Sequence, residues 1–138
     1  MSKIYKAGSE LTCQKNLVTW FRLQYPKYKN HLIRIGNEGK KSVITGKVDK
    51  QTGLIPGASD LFLAMPSNGY GGLWLELKRE GAKITPSNKA HHDRQIAFLE
   101  MMQSVGYQGY MVWGFEEAKE AIQSYLKPVE KSQILMVN

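Results

Sequence analysis

The chain has 138 residues, of which 42% are hydrophobic and 22% are charged, and its net charge is +7. This composition is too apolar for a disordered chain, and the length suits one domain over residues 1–138. No stretch approaches the roughly 20 apolar residues of a membrane span, and the N-terminus lacks the apolar run of a secretion signal, so a cytoplasmic location is expected. The positive charge favours polyanionic partners such as nucleic acid, although many basic proteins bind none.

The single cysteine, Cys13, excludes an internal disulfide and a cysteine cluster for zinc. Any bound metal ion would therefore need oxygen or imidazole ligands. Hard divalent cations such as Mg²⁺ take oxygen ligands, so carboxylates that converge in the fold are the candidates to look for.

The first predicted element is a helix over Ser9–Tyr25, with an N-cap at its first residue and a stop at Pro26. Glu10 and Gln14 lie one turn apart on the side of this helix that also carries Leu17. A carboxylate on the inward side of a helix is unusual, and periodicity alone does not explain it.

A short β-branched strand is predicted over His31–Ile35, followed by a polar loop over 36–41. The segment 41–51 suits either a helix or a strand. These elements lead into the turns that carry the more informative residues.

A hairpin with a long loop is predicted next. Gly57 belongs to a turn that delivers Asp60 to the buried strand Leu61–Met65, and the strand Leu73–Lys78 returns beside it. The second strand alternates, with Leu73, Leu75 and Leu77 facing one way and Trp74, Glu76 and Lys78 the other. Trp74 is expected to fill the core.

The C-terminal half predicts a helix from Pro86–Ser87 to about Ser104, a strand over 107–113 and a helix over 115–126. In the first of these helices, Ile96 and Leu99 are expected to face inward. The residues after Pro128 form a short tail that is expected either to fray or to pack on a partner. This order of elements predicts an α/β or α+β fold, a sheet with flanking helices.

The chemical candidates are Asp60, Glu76 and Lys78. Glu76 and Lys78 share one face of a strand at a spacing of roughly 6–7 Å. If the hairpin brings Asp60 beside Glu76, two carboxylates and one ammonium converge, which suits Mg²⁺ and the phosphate of a substrate. Such a site supports hydrolysis of a phosphodiester, because a bound ion stabilises charge and activates water, while Lys78 orients the water or stabilises developing charge.

A structural alternative exists for each of these residues. A Glu-x-Lys pair on a strand is often only a solvated face, and an acid after a glycine turn is often a cap. The conjunction of Gly57, Asp60, an apolar strand and Glu76-Leu77-Lys78 favours the catalytic interpretation.

Asp60 followed by Glu76-Leu77-Lys78 resembles the PD-(D/E)XK nuclease motif, and the surroundings resemble its VRR-NUC branch. Gly57 matches the glycine that precedes the motif aspartate, and Gln95 matches the glutamine of the next helix. Glu10 and Gln14 match the upstream helical pair, so the resemblance extends from residue 10 to about residue 125. Ser59 is a departure, since a proline often stands there, but that residue only shapes the turn.

The resemblance implies a restriction-endonuclease-like fold with a mixed central sheet flanked by helices. It also implies that Asp60 and Glu76 bind Mg²⁺ or Mn²⁺ together with the carbonyl of Leu77. Glu10 would complete the site, Lys78 would act on the nucleophilic water, and Gln95 would support the site. Stand-alone members of the family, commonly viral, resemble small junction resolvases, so a homodimer that cleaves branched DNA such as four-way junctions is expected, in the host cytoplasm if the protein is viral.

Basic residues near the predicted site could contact phosphates on either side of the scissile bond, or they could merely solubilise loops. They are Arg34, Lys40, Lys41 and Lys47. His91 and His92 point in different directions on a helix, so they are interpreted as a polar or core-edge pair rather than as a metal site.

Two rival functions remain open at this point. One is a DNA-binding module that keeps the fold without catalysis, and the other is a nuclease that acts on single-stranded DNA or on RNA. Metal-dependent cleavage separates the first from the main hypothesis, and competition between substrates at fixed salt separates the second.

Overall fold

The structure is a computed structural model that describes residues 9–36 and 50–137, with side chains described up to residue 130. None of the helices in these ranges is long and apolar enough to span a membrane. The described elements, in chain order, are α1 (Glu10–Gln24), a 3₁₀ helix (Pro26–Tyr28), β1 (Leu32–Arg34), β2 (Leu61–Leu63), β3 (Leu73–Lys78), α2 (Lys89–Gln103), β4 (Gln108–Trp113) and α3 (Gly114–Val137).

The four strands form one mixed sheet in the order β1-β2-β3-β4. β2 pairs antiparallel with β1 and with β3, whereas β3 and β4 are parallel and are connected through α2. Helices α1 and α3 contact one face of the sheet, and α2 covers the other. The predicted α/β class, with a mixed central sheet and flanking helices, is confirmed.

The bounds of α1 agree with the sequence prediction. The Ser9 hydroxyl accepts a hydrogen bond from the Thr12 N–H at 3.0 Å, which satisfies one of the free donors of the first turn. The helix ends at Tyr25, directly before Pro26, whose ring cannot continue it. Its buried stripe, Cys13, Leu17 and Phe21, anchors α1 on the sheet.

The predicted alternation of β3 is also confirmed. Leu73, Leu75 and Leu77 are buried on the face that α1 and α3 cover. Trp74 lies on the opposite face among aromatic rings, 4.4 Å from Phe62 and 5.0 Å from the Phe98 of α2 between ring centroids. Trp74 therefore packs on the second face, half-buried and outside the main hydrophobic core, whereas the sequence analysis expected it to fill the core.

The inward face of α2 differs from the prediction. Ile96 is 38% exposed, whereas Gln95, Phe98 and Leu99 are buried. Phe98 packs edge-on against Trp74, and Leu99 occupies the space that Gly109 of β4 leaves by lacking a side chain. These contacts set the rotation of α2, and Ile96 consequently points to solvent.

The start of α2 and the end of α3 also correct the prediction. Residues 83–88 form turns, in which the Asn88 side chain accepts from the Thr85 N–H and donates to the Lys83 carbonyl, so α2 begins only at Lys89. Helix α3 does not end at Leu126 but continues through Pro128 to Val137. A proline removes the hydrogen bond to the carbonyl four residues earlier, and here that residue, Ser124, is exposed to water.

Candidate active site

The candidate site lies where β3 extends beyond the end of β2. The pairing of β2 with β3 ends at Leu61 opposite Leu75, so among the described strands Glu76, Leu77 and Lys78 pair only with β4. On the open side, the Asp60 carboxylate accepts a hydrogen bond from the Leu77 N–H at 3.0 Å. A side chain thus replaces the missing strand, and it places the Asp60 carboxylate beside Glu76.

Backbone contacts position Asp60 as well. Its carbonyl accepts a hydrogen bond from the Ile35 N–H at 2.8 Å. The preceding loop passes directly against α2 at Gly57, whose φ is +87° and where a Cβ would lie 2.7 Å from the Arg94 carbonyl oxygen. Only glycine fits both the conformation and the space, which gives a physical basis to the supporting role predicted for Gly57.

Glu76 is a buried acid with incomplete hydrogen bonding. Its side chain is 2% exposed, and its Oε1 atom is buried without a hydrogen-bond partner. Burial, and secondly the adjoining Asp60 carboxyl, raise the pKa of Glu76 to about 10. A buried acid with an unpartnered oxygen costs stability, so its presence next to a second carboxyl makes the pair a candidate functional site.

The pair of carboxyls fits a divalent cation by the chemistry of its donors. Two oxygen-bearing side chains converge, one of them with an unpartnered oxygen, and a cation there would favour the charged form of both. Among residues 9–36 and 50–130, no group of three Asp, Glu, His or Cys side chains is close enough to enclose an ion. Asp60 and Glu76 would thus hold an ion with backbone, water or substrate oxygens as the other ligands.

Lys78 is held by a chain of polar contacts that leads into α2. Its Nζ atom donates to the Oε1 of Gln95 at 2.5 Å, and the Gln95 Nε2 lies 3.1 Å from the Nε2 of His91. Gln95 is only 5% exposed, so its amide has a defined surrounding. Burial, followed by the charge of Lys78, lowers the pKa of His91, which favours the neutral ring that can accept from the amide.

The contact of His91 with Gln95 was not predicted from the sequence, where His91 was interpreted only as half of a polar or core-edge pair. The signal was present in the spacing, because His91 and Gln95 lie four residues apart and so on the same side of a helix. His92, its neighbour, lines the same cleft and keeps a buried Nδ1 without a hydrogen-bond partner among the described residues.

Glu10 stands at the rim of the site rather than inside the core. It is an exposed residue of the first turn of α1, yet it lines a cleft of about 230 Å³ together with Lys78 and Gln95. Burial of its carboxylate raises the pKa of Glu10, while the charge of Lys78 lowers it. This location is compatible with a supporting role, and the predicted role of Glu10 as a metal ligand stays a prediction.

Two of the other predicted residues lie beside this centre. Gln14 and Arg34 line a groove between α1 and β1 that reaches Asp60. Arg79 and Lys83 line the cleft on the opposite side, next to Lys78. The predicted DNA contacts Lys40, Lys41 and Lys47 lie outside the described residues.

Comparison with solved structures identifies the fold. A solved protein named "VRR_NUC domain protein" superimposes with a TM-score of 0.71 at 23% sequence identity, over 88% of this chain and 91% of the other. The chain has the VRR-NUC fold. No protein-family model matches the sequence, and no curated protein matches it at a significant level.

The likeness extends over almost the full length of both chains, so it concerns the whole arrangement of helices and strands and not a shared fragment. At 23% sequence identity, the likeness shows the fold alone. The VRR-NUC resemblance drawn from the motif residues is confirmed at that level. The function must be argued from the site.

Proposed function

We propose that this protein is a nuclease that depends on a divalent cation, Mg²⁺ or Mn²⁺, and hydrolyses phosphodiester bonds in DNA. The observation that carries the proposal is the convergence of the Asp60 carboxylate, the buried Glu76 and the Lys78 ammonium where β3 extends past β2. The VRR-NUC fold and the net charge of +7 support the same conclusion.

Asp60 and Glu76 would hold the cation, with the Leu77 carbonyl as a further ligand and Glu10 at the rim. When bound there, the cation supplies charge neutralisation at the phosphoryl oxygens and lowers the pKa of a coordinated water. The hydrogen bond from the Leu77 N–H keeps one Asp60 oxygen in place, so the carboxylate pair needs little rearrangement to bind an ion.

Lys78 would orient the attacking water or stabilise the negative charge that develops on the phosphate. Its partner Gln95 is neutral, so the amide positions the ammonium without cancelling its charge, as a carboxylate would. A positioned cationic donor of this kind contributes roughly 10²–10³-fold to turnover, by comparison with oxyanion donors in other enzymes.

The proposal includes a substrate class and an assembly. One metal centre cuts one strand, so two symmetric cuts across a branched DNA such as a four-way junction require two copies of the chain. We therefore propose a homodimer of the 15.6 kDa chain that acts on branched DNA.

The test is a cleavage assay on labelled duplex, flap and four-way DNA, with Mg²⁺, with Mn²⁺ and with chelator. We expect metal-dependent cleavage that is lost in Asp60→Asn. Asp93→Asn is the matched control, because Asp93 is exposed on α2 and forms an ion pair with Lys89 of the same helix. Undiminished cleavage by Asp60→Asn would exclude this site, whereas DNA binding without cleavage under any condition would favour the non-catalytic binding module.

Two further results address the refinements separately from the chemistry. A mass of one chain in light scattering at all concentrations would remove the homodimer. Equal cleavage of linear and branched duplexes would remove the preference for branches, and preferential cleavage of RNA would move the substrate to the other nucleic acid.

A further inference from the structure

A groove of about 700 Å³ between α1 and β1 leads away from the candidate active site. Its wall on α1 is a stripe of residues three to four positions apart, Leu11, Lys15, Val18 and Arg22. Arg34 forms the opposite wall. We call this cavity the α1 groove.

The α1 groove is continuous with the candidate active site. Asp60, which holds the Leu77 N–H, lines the groove at one end, and Glu10 lines both the groove and the catalytic cleft. Arg22 lies 12 residues after Glu10, which at the helical rise is about 18 Å along the axis. A chain that leaves the site through this groove would span about five nucleotides at the 3.4 Å spacing of a stacked strand.

The lining of the groove combines positive charge with apolar surface. Lys15, Arg22 and Arg34 supply three cationic side chains, whereas Leu11 is apolar and 65% exposed. Phosphates account for the first property, because cationic side chains along a groove track a nucleic-acid backbone. The apolar side chains would gain no favourable contact from the outside of a duplex, but they can pack against the faces of unpaired bases.

The size of the groove also favours a single strand over a duplex. A volume of about 700 Å³ falls in the range of cavities that enclose one small ligand, so part of a single strand can enter the groove, whereas a double helix would lie across its rim. A duplex on the rim would leave the exposed Leu11 without a contact.

We propose that the α1 groove binds an unpaired DNA strand that continues from the scissile phosphate, so that the substrate carries a single-stranded segment beside the cut. This inference rests on the proposed nuclease function and sharpens its substrate class. Among branched substrates, flaps and forks with an unpaired arm should be preferred over a fully paired four-way junction.

The first test measures DNA binding by fluorescence anisotropy with chelator present, so that nothing is cleaved. The probes are a fork with one unpaired arm, the unpaired arm alone and a blunt duplex of equal length. The double variant Lys15→Glu with Arg22→Glu should weaken binding of the fork and of the single strand by at least tenfold, on the order of the loss of two phosphate contacts, and the blunt duplex much less. The slope of log Kd against log salt should fall by about 1.4, at roughly 0.7 for each phosphate contact to a single strand.

A matched control separates the groove from general electrostatics. Lys27→Glu with Lys127→Glu makes the same change in charge at exposed positions that do not line the groove, and it should change binding of the fork less than threefold. Equal effects of the two double variants would overturn the inference, as would equal affinity of wild type for fork and blunt duplex.

A second pair of variants tests the contact with bases without any change in charge. Leu11→Ser should weaken binding of the fork about threefold, whereas Leu23→Ser on the same helix, 79% exposed and outside the groove, should leave it unchanged. Circular dichroism should show both variants folded, since neither side chain is buried. Equal binding of the fork by both serine variants would argue against base contacts.

The outcomes also separate this inference from the proposed function. Reduced fork binding by the groove variant, with no cleavage by wild type under any metal condition, would leave the groove standing and remove the nuclease. Metal-dependent cleavage by wild type, with fork binding unchanged in the groove variant, would support the nuclease and overturn the role of the groove. A change of mass in light scattering caused by Lys15→Glu with Arg22→Glu would instead assign the groove to contact between copies of the chain.

Discussion

The two halves of β3 show how one strand serves stability and chemistry in turn. From Leu73 to Leu75 the strand pairs with a neighbour on each side, and Trp74 lies in an aromatic cluster. From Glu76 to Lys78 its one partner among the described strands is β4, and the same sheet face carries a buried acid and an ammonium. We call these the paired half and the open half of β3.

The difference teaches that, within β3, the buried acid lies in the half where the pairing with β2 has ended. In the paired half, backbone groups are satisfied by both neighbours and side chains contribute apolar packing. In the open half, Asp60 satisfies one free backbone N–H with its side chain, which brings a second carboxylate to Glu76. Because β2 ends before this half of β3, the Asp60 carboxylate lies beside the Glu76 Oε1, which is an unpartnered oxygen that a cation can use.

The largest expected effect concerns the open half. Lys78→Met should lower single-turnover cleavage by about 10²–10³-fold, because it removes a positioned cationic donor at the reacting phosphate. The free energy of unfolding should change little, since methionine retains most of the apolar stem. Rapid-quench cleavage assays and urea denaturation measure the two quantities, with Lys89→Met as the exposed control, and a loss of less than tenfold in turnover would exclude the assigned role.

The next effect concerns the paired half. Trp74→Ala should lower the free energy of unfolding by about 3 kcal/mol, because it empties an aromatic cluster beneath α2. Trp74→Phe should lose less than half as much. Urea denaturation gives both values, and a change below about 1 kcal/mol in the alanine variant would show that the cluster contributes little.

Glu76→Gln is expected to raise the free energy of unfolding, by less than Trp74→Ala lowers it. The folded protein raises the pKa of Glu76 to about 10, above its unfolded value of 4.5, so the native state binds the extra proton and stability falls as pH rises through this interval. The glutamine variant should lose this pH dependence and, with chelator present at pH 8, unfold at a temperature higher by on the order of a few degrees. Calorimetry from pH 5 to pH 9 measures it, and a variant that is less stable than wild type at pH 8 contradicts the assignment.

The smallest effect is expected at His91, which contacts Lys78 through Gln95. His91→Ala should lower turnover about tenfold, because the Gln95 amide loses the acceptor that holds its oxygen toward Lys78. KM should change little if His91 only positions the amide. His31→Ala, on an exposed residue outside the site, is the control, and an unchanged turnover in His91→Ala would show that the contact has no role in catalysis.

Much of the fold could be predicted because the signals are local. The Ser9 cap, the stop at Pro26 and the alternation of β3 each depend on residues within one or two turns of each other. The proximity of Asp60 to Glu76 was predictable in the same way, since an antiparallel hairpin places Asp60, the residue before the first strand, near the end of the second.

The features that were predicted wrongly or not at all depend on packing between elements. The rotation of α2, which exposes Ile96 and buries Gln95, depends on how Phe98 and Leu99 meet the sheet. The role of His91 follows from that rotation. The α1 groove likewise depends on how α1 lies against β1 and the loop that carries Asp60, which no local pattern reports.

The sequence by itself determined the class of the fold, the bounds of α1 and β3, and the identity of the acids and the lysine that converge, because periodicity, capping and turn residues act over short stretches of chain. Only the tertiary structure decided that Asp60 replaces a missing strand, that Gln95 and His91 hold Lys78, and that a basic and apolar groove leads to this point. Those features depend on strand register and helix rotation, which are set by packing between elements distant along the chain.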